Sequence, residues 1–195
     1  MQKIVLATRN KHKILEIKTI LADLPVELLT LNDFPGVPEL REDGDTFQEN
    51  SLQKAQAVCE QTHLPALADD SGLEVFYLNG RPGVISARYA GLKATDEENN
   101  RKLLGEMRGV APRRRKAQFR AVLTLIDGNH IDVTEGVCPG SLAEFPRGSN
   151  GFGYDPIFIP DGFTRTYAEL TAEEKNRISH RSRALAAMRI VLQKK

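Results

Sequence analysis

Residues 3–31 read KIVLATRNKHKILEIKTILADLPVELLTL, and this stretch determines the fold class. Residues 3–7 are an apolar run that stops at Thr8, which is typical of a buried strand, and residues 26–31 predict a second strand. Between them, over residues 10–24, aliphatic side chains recur at helical spacing. A strand, a helix and a strand within about 30 residues make a βαβ unit, which implies a parallel strand pair.

The remainder of the chain alternates predicted helices and strands. Three capping boxes, each a Thr followed three residues later by a Glu, predict helices over residues 46–63, 95–108 and from 171 into a last helix with apolar positions as far as Leu192. Apolar runs predict strands over residues 65–68, 73–78, 116–127, 130–137 and 157–159. The turn Gly128-Asn129 predicts an antiparallel hairpin. We expect a mixed α/β class and a single domain over residues 1–195, because no linker separates two domains.

Composition and charge exclude several classes of protein. With 41% hydrophobic residues among 195, the chain is expected to bury a core, which excludes intrinsic disorder and collagen-like sequence. Only two cysteines, Cys59 and Cys138, are present, which excludes a disulfide scaffold and suggests a reducing, cytoplasmic location. They lack CxxC spacing, which argues against zinc binding and dithiol redox chemistry. A net charge of +1 supplies no general field for nucleic acid, and no apolar run is long enough for a signal peptide or a membrane span.

The most basic run is Arg113-Arg114-Arg115-Lys116. No aromatic residue interleaves with it before Phe119, whereas single-stranded nucleic acid is bound by basic grooves that also present aromatic rings. We therefore expect a solvated loop rather than a nucleic-acid surface.

The turn from the first strand to the first helix reads Thr8-Arg9-Asn10-Lys11-His12-Lys13. Backbone N–H groups and the helix dipole make such a turn an anion-binding site, and the Thr, Asn and Lys side chains add donors and positive charge. This composition suits a phosphate chain, although the glycines of a Walker A loop are missing. The alternative is that Asn10 is a helix N-cap and the lysines are solvated.

Residues 68–72, ADDSG, place two acids directly after an apolar strand. Ligands of α/β sheets bind at the carboxyl ends of strands, and Mg²⁺ is usually held by one or two carboxylates together with substrate phosphates. The alternative is an acidic turn before Gly72, but two acids beside a buried strand are costly unless they are paired.

An acidic loop over residues 39–45 offers further metal ligands. Glu49 is already explained as the second member of the capping box that Thr46 opens. Spacing alone does not choose among the candidates Glu42, Asp43, Asp45 and Glu49.

Residues 149–156, SNGFGYDP, form a glycine-rich loop. Glycines on both sides of Phe152 allow the backbone to approach a ligand closely, and the ring is suited to stacking on a base. Asp155 is placed to accept hydrogen bonds from ring N–H groups. The alternative is a tight turn with a buried Phe.

Four cationic side chains lie near the start of the last helix: Lys175, His180, Arg181 and Arg183. Cations at a helix N-terminus oppose the helix dipole, and a bound anion would remove that conflict. The alternative is a solvated helix face.

Taken in order, these segments resemble the inosine triphosphate pyrophosphatase family. The resemblance runs from Lys3 to the last helix. Its marks are Thr8-x-Asn10-x-x-Lys13, Glu49-Asn50 with Lys54, Ala68-Asp69-Asp70-Ser71-Gly72-Leu73, Ser86-Ala87-Arg88-Tyr89, Gly151-Phe152-Gly153-Tyr154-Asp155-Pro156 and Ser179-His180-Arg181. One departure is Arg9, where many members have Gly, and its side chain would lie in or beside the phosphate turn.

The resemblance implies an elongated mixed β-sheet flanked by helices, with two lobes around a central nucleotide cleft. It also implies a homodimeric hydrolase that cleaves ITP, dITP and XTP to the monophosphate and pyrophosphate with Mg²⁺, and so removes them from the nucleotide pool. Neither a membrane nor a stable nucleic-acid partner is implied.

The resemblance also implies roles for individual residues. The triphosphate would be held by Thr8, Arg9, Asn10, Lys11, His12, Lys13 and Ser71. Asp70 would be the general base and, with Glu42, would hold the metal. The nucleotide, its base included, would be held by Phe152, Gly153, Tyr154, Asp155, Lys175, His180 and Arg181.

Two other functions stay open at this point: a related pyrophosphatase acting on pyrimidine or other modified nucleotides, and a non-catalytic nucleotide- or nucleic-acid-binding module. The acid pair argues against the second, because carboxylates repel phosphates unless a metal intervenes. Phosphoanhydride hydrolysis needs charge neutralisation, an in-line water and a base or metal to activate that water. The basic residues, the acid pair and the helix N-terminus are suited to those tasks.

Overall fold

The computed structural model describes residues 1–194, and within them helices and strands alternate along most of the chain. The helices are Lys11–Ile20 (α1), Phe47–Thr62 (α2), Asp96–Glu106 (α3), Ala172–Ile178 (α4) and His180–Leu192 (α5). The strands are Gln2–Leu6 (β1), Val26–Thr30 (β2), Ala66–Val75 (β3), Lys116–Asp127 (β4), His130–Leu142 (β5) and Phe158–Pro160 (β6). Among these described residues, no helix combines the length and apolar character that crossing a membrane requires.

The strands form one sheet in the order β2-β1-β3-β4-β5-β6. β1 pairs in parallel with β2, with Ile4 opposite Leu28, and in parallel with β3, with Leu6 opposite Leu67. β6 pairs with β5 in the antiparallel direction. The predicted βαβ unit and the mixed α/β class are therefore confirmed.

The chain divides into two compact units, of which the first consists of residues 1–70, 121–136 and the chain from 181 onward. Its strand β1 is buried on both faces. Ile4 packs in one apolar cluster with Ile17 of α1 and Leu185 of α5, while Val5 packs in another with Val58 of α2. A strand covered on both faces reads as a continuous apolar run, which explains the sequence of residues 3–7.

The second unit consists of residues 71–120 and 137–180. Aromatic rings form much of its core: the Phe119 ring centroid lies 4.8 Å from that of Phe158 and 5.8 Å from that of Tyr167. Leu103 and Met107 of α3 are fully buried in the same cluster. Helix α3 is thereby fixed to the core of the second unit.

The predicted break of a strand at Asp69 and Asp70 is wrong. β3 continues through both acids to Val75, and residues 76–78 form a short 3₁₀ turn instead of extending a separate strand. Local hydropathy falls at the two acids, but buried cations neutralise them, so the strand passes through the interior without interruption.

The prediction of a single last helix is also wrong, because α4 and α5 are separated at Ser179. This residue has φ −68° and ψ 158°, which are extended values. Ser is favoured in this conformation directly before a helix, so the break follows a local preference that the apolar spacing does not reveal. His180 and Arg181 consequently lie in the first turn of α5.

The prediction that the basic run 113–116 is a solvated loop is wrong at Arg115. Arg113 and Arg114 are exposed, but Arg115 is buried and donates to the backbone carbonyls of Met107, Leu142 and Ala143 at 2.8, 3.0 and 2.7 Å. A guanidinium can satisfy several buried carbonyls at once, so this arginine ties chain segments of the second unit together.

Candidate active site

The turn between β1 and α1 has the geometry of a capped helix start. Asn10 Oδ1 accepts hydrogen bonds from the backbone N–H groups of His12 (3.0 Å) and Lys13 (3.2 Å), and Asn10 N donates to Thr8 Oγ1 at 3.2 Å. The N-cap role considered as the alternative is thus confirmed. Residues 9–12 are exposed, so the turn also presents its positive charge to solvent, where an anion can reach it.

Arg9 extends to the loop that follows β2. Its guanidinium donates to the Val37 carbonyl at 2.7 Å. The bulky side chain that departs from the family pattern is therefore held by a backbone acceptor, and the Thr8 and Asn10 contacts of the turn are intact.

Asp69 is a fully buried carboxylate surrounded by cations. Its Oδ1 lies 2.6 Å from Lys13 Nζ and its Oδ2 lies 2.7 Å from Arg181 Nε, while Arg181 also contacts Glu16. Burial alone would raise the pKa of Asp69, but the charges of Arg181 and Lys13 outweigh it and hold that pKa well below its usual range. Asp69 is accordingly an ionised anchor that binds the start of α1 and the start of α5 to β3.

Asp70 points to the other face of the strand and meets a different partner. Its Oδ1 lies 2.8 Å from Lys54 Nζ, and its Oδ2 accepts a hydrogen bond from Asn50 Nδ2 at 3.3 Å. Burial raises the pKa of Asp70 despite the attraction of Lys54 and Lys13. A carboxylate with a raised pKa accepts a proton more readily, as a general base must.

Glu42 is the acid of the loop 39–45 that reaches this cluster. Lys54 Nζ lies 2.7 Å from Glu42 Oε1 and so joins this carboxylate to that of Asp70. Burial would lower the pKa of Lys54, but the two carboxylates outweigh it and raise that pKa. Asp43 and Asp45 are exposed, and Glu49 Oε2 accepts from the backbone of Thr46 and Asp45 at the start of α2, as the capping box predicted.

The carboxylates of Glu42 and Asp70 lie close enough together to be considered as ligands for a metal ion. Within residues 1–194 no group of three or more His, Cys, Asp or Glu side chains is arranged to hold a metal. Mg²⁺, however, usually binds proteins through one or two carboxylates and takes its remaining oxygen ligands from phosphates and water. Glu42 and Asp70, both within hydrogen-bond distance of one cationic nitrogen, fit that requirement.

Lys54 and Asn50 are site residues for which the sequence predicted no role, although both belong to the motifs that resemble the family. Both are buried on α2, on the side that also buries Ala55 and Val58. A lysine on the apolar face of a helix is almost never buried without a partner, so its place in the helical pattern of the sequence indicates a nearby carboxylate. Glu16 on α1 carried no comparable signal.

The loop 148–155 of the second unit is shaped by its backbone. Gly151 has φ +75°, and a Cβ there would lie 2.0 Å from Asp155 Oδ2, so only glycine fits. Asp155 Oδ2 accepts hydrogen bonds from Phe152 N at 3.0 Å and from Lys175 Nζ at 2.6 Å. Lys175 Nζ also lies 4.8 Å from the Phe152 ring centroid. Three predicted base-binding residues, Phe152, Asp155 and Lys175, are thus brought together.

Other predicted residues of the second unit lie in or beside its aromatic core. The His180 ring stacks on Phe119 with centroids 4.7 Å apart and planes 11° from parallel. Tyr154 donates its hydroxyl to the Ser86 carbonyl at 2.9 Å, and burial raises its pKa. Ser71 is half-buried in β3.

Each unit therefore contains its own group of predicted residues. The first holds Thr8, Arg9, Asn10, Lys11, His12, Lys13, Glu42, Asp70 and Arg181, and the second holds Ser71, Phe152, Gly153, Tyr154, Asp155, Lys175 and His180. Arg181 was expected to contact the nucleotide. Its guanidinium instead contacts the carboxylates of Asp69 and Glu16, and its part in base recognition stays a prediction.

Comparison with known proteins agrees with the motif analysis. A protein of Geobacter sulfurreducens named dITP/XTP pyrophosphatase is 50% identical over 190 residues, covering 97% of this chain and 96% of its own. A Streptomyces coelicolor protein of the same name is 50% identical over 192 residues, covering 96% of each chain. The structure of a HAM1 protein from Coxiella burnetii superposes with a TM-score of 0.92 at 44% identity and covers 100% of both chains.

These similarities confirm the resemblance found from the motifs. The matches cover nearly the whole length of each relative and nearly the whole length of this chain. The similarity therefore includes both units. A family model covers the same extent of sequence. From residue 4 to residue 191 the chain matches the model of the Ham1 family, and it belongs to that family.

Proposed function

We propose that this chain hydrolyses non-standard purine nucleoside triphosphates, namely ITP, dITP and XTP, to the monophosphate and pyrophosphate. The observation that carries the proposal is 50% identity, over 97% of the chain, to a protein named dITP/XTP pyrophosphatase. The contacts around Asp69 and Asp70 support it, because they combine a buried carboxylate of raised pKa with several cations. The cellular role is removal of these nucleotides from the precursor pool.

The phosphate chemistry is assigned to the turn at the start of α1, to Ser71 and to the carboxylates of Asp70 and Glu42. The turn at the start of α1, residues 8–13, binds the triphosphate through its exposed residues 9–12, and Ser71 adds a hydroxyl donor. Asp70 accepts the proton of the water that attacks the α-phosphorus as the bond to pyrophosphate breaks. Glu42 and Asp70 would hold Mg²⁺, which would supply positive charge to the phosphates and help to activate the attacking water.

Binding of the base is assigned to Phe152 and to the residues that the resemblance groups with it. Phe152 stacks on the purine, and the neighbouring Lys175 and Asp155 supply a donor and an acceptor. His180, Arg181 and the backbone of residues 153–154 complete the contacts that the resemblance implies. Hypoxanthine and xanthine present an oxygen at position 6 and an N–H at position 1, whereas adenine presents an amino group and a bare nitrogen. A site built to pair with the former leaves polar groups unpaired with the latter.

We further propose that residues 1–195 work as one domain, in a cytoplasmic homodimer without a stable nucleic-acid partner. Neither compact unit is a continuous segment, since the chain returns to each, and this favours one functional domain. Within residues 1–194 neither Cys59 nor Cys138 forms a disulfide, which agrees with a reducing compartment. Light scattering at increasing protein concentration tests the dimer.

Pyrophosphate release from a nucleotide panel tests the function. The purified chain is incubated with ITP, dITP, XTP, GTP, ATP and a pyrimidine triphosphate, each with Mg²⁺ and with EDTA. We expect rapid release from the first three with Mg²⁺, little from ATP, and almost none with EDTA. Preference for a pyrimidine nucleotide would support the related pyrophosphatase instead, and orthophosphate as the first product would contradict cleavage between the α and β phosphates.

A further inference from the structure

Both backbone polar groups of Gly153, the residue after Phe152, are bound by one helix. Asp96 Oδ2 accepts a hydrogen bond from Gly153 N at 2.6 Å, and Asn100 Nδ2 donates to Gly153 O at 2.9 Å. Asp96 and Asn100 are four residues apart on α3, so they lie on the same side of the helix. We call these two hydrogen bonds the Gly153 clamp.

The clamp is mounted on a rigid support. Helix α3 begins with a complete capping box between Thr95 and Glu98, directly beside Asp96. Further along, Leu103 is fully buried in the core of the second unit. The positions of the two clamping side chains are therefore set before any ligand binds.

On the side that faces α3, this part of the loop borders a cavity. The cavity has a volume of about 640 Å³, and its wall includes Asn100, Leu104, Phe152 and Gly153. Atoms beside a cavity lack van der Waals partners on that side, so packing restrains them less there. The clamp restrains Gly153 on this side, between Phe152 and the buried Tyr154.

Asn100 is an unexpected residue for a purely structural position. It is only 5% exposed, and its Oδ1 has no hydrogen-bond partner. An unpartnered buried carbonyl destabilises the fold, and a leucine of similar size would avoid that cost while burying more apolar surface. The amide is explained by its other end, which holds the Gly153 carbonyl.

From these contacts we infer that Asp96 and Asn100 are positioning residues for the purine base: by clamping Gly153 they hold the Phe152 ring in its stacking orientation. The inference rests on the proposed function, and it adds two residues of α3 to those that govern base binding. Phe152 N is held independently by Asp155, and Asn150 Nδ2 by the Leu170 carbonyl, so loss of the clamp frees one side of the ring without unfolding the loop.

The clamp itself is tested by amide hydrogen exchange, measured by NMR. Asp96→Ala removes the acceptor of the Gly153 N–H, so exchange of that amide should accelerate by at least about tenfold. Asp96→Asn retains an acceptor oxygen and should restore slow exchange. Unchanged exchange in Asp96→Ala would show that the contact does not restrain the loop, whatever the activity of the protein.

The positioning role is tested by kinetics on the variants Asp96→Ala and Asn100→Ala. We expect KM for ITP to rise by about 5- to 20-fold, as for partial loss of base stacking, with kcat within about twofold of the wild type. Inhibition by inorganic triphosphate, which has no base, should be unchanged. Asp96→Asn should keep KM close to the wild-type value.

Asn99→Ala is the matched control. Asn99 is also buried on α3 and also binds backbone, accepting from Ala90 N at 2.7 Å and donating to Ala87 O at 3.1 Å, but it does not contact Gly153. It should lower the melting temperature as much as Asn100→Ala while leaving KM unchanged.

Two results would overturn the inference alone: wild-type KM in folded Asp96→Ala, or an equal loss of affinity for ITP and inorganic triphosphate. If Asn100→Ala fails to fold, Asp96→Ala decides, because Asp96 is exposed and is not part of the core. Absence of pyrophosphate release by the wild type would instead overturn the proposed function and, with it, the role in base positioning.

Discussion

The cluster around Asp69 and Asp70 in the first unit is made of side chains, whereas the loop 148–155 in the second unit is held mainly by its backbone. Lys13, Arg181 and Lys54 neutralise the acids at distances of 2.6–2.8 Å. In the loop, by contrast, the peptide groups of Phe152 and Gly153 are the bonded partners. The first region therefore depends on charge, and the second on glycine geometry and hydrogen bonding to the backbone.

Within the charged cluster the two neighbouring acids also differ. Asp69 has a lowered pKa and links three segments of the first unit. Asp70 has a raised pKa and shares the ammonium group of Lys54 with Glu42. We therefore expect Asp69 to matter most for stability and Asp70 for catalysis. Substitutions at these positions and in the loop test whether the two acids and the loop differ in this way.

The largest expected effect is on catalysis in Asp70→Asn. The amide keeps the shape but neither accepts the proton of the attacking water nor carries charge toward a metal, so pyrophosphate release from ITP should fall by about 10²–10⁴. Steady-state assays with Mg²⁺ measure the rate, and circular dichroism verifies the fold. Near-full activity would show that Asp70 is not the base.

The next effect is on stability in Asp69→Asn. The substitution leaves the partly buried Lys13 and the buried Arg181 facing an uncharged amide, which should lower the free energy of unfolding by roughly 3–5 kcal/mol. Urea unfolding near neutral pH measures it. Glu97→Gln, which removes an exposed ion pair with Arg101, is the control and should stay near wild type. Equal stability of Asp69→Asn and the wild type would remove the distinction between the two acids.

A smaller effect is expected for Phe152→Ala. Stacking does not distinguish the hydrogen-bonding edges of purines, so KM should rise by about 5- to 100-fold for ITP, XTP and ATP alike. Asp155→Ala should instead narrow the difference in KM between ITP and ATP, because in the proposed function this acceptor pairs with a ring N–H that adenine lacks. A loss confined to one nucleotide in Phe152→Ala would contradict stacking.

The smallest effect is the pH dependence of stability. A lowered pKa in the folded state means that the contribution of Asp69 is complete above its unfolded pKa of about 3.9 and is lost as pH falls through the folded value. The raised pKa of Asp70 has the opposite sign: its contribution is present at low pH and is lost as pH rises through that pKa. Unfolding free energies should therefore fall less steeply in Asp69→Asn as pH is lowered below about 4, whereas in Asp70→Asn the steeper fall should appear above about pH 4, between the unfolded pKa and the raised folded pKa of Asp70. Identical slopes in both variants would contradict this assignment.

Much of the fold could be predicted because it follows local rules. The run of residues 3–7, the helix that follows and the capping boxes at Thr46, Thr95 and Thr171 all specify elements through short-range spacing. The strand through Asp69 could not be predicted from local hydropathy, because the two acids lower it. The cations that neutralise Asp69 come from distant segments of the chain.

The βαβ start, the acid pair and the ordered motifs that identify the family can be read from the sequence alone. These features depend on residues a few positions apart, or on their order along the chain. Tertiary structure alone decided that Glu42 rather than its acidic neighbours approaches Lys54, that Arg181 binds Asp69, and that α3 clamps Gly153. Those contacts join residues separated by 12 to 112 positions, and only the packed core brings such distant groups to hydrogen-bonding distance.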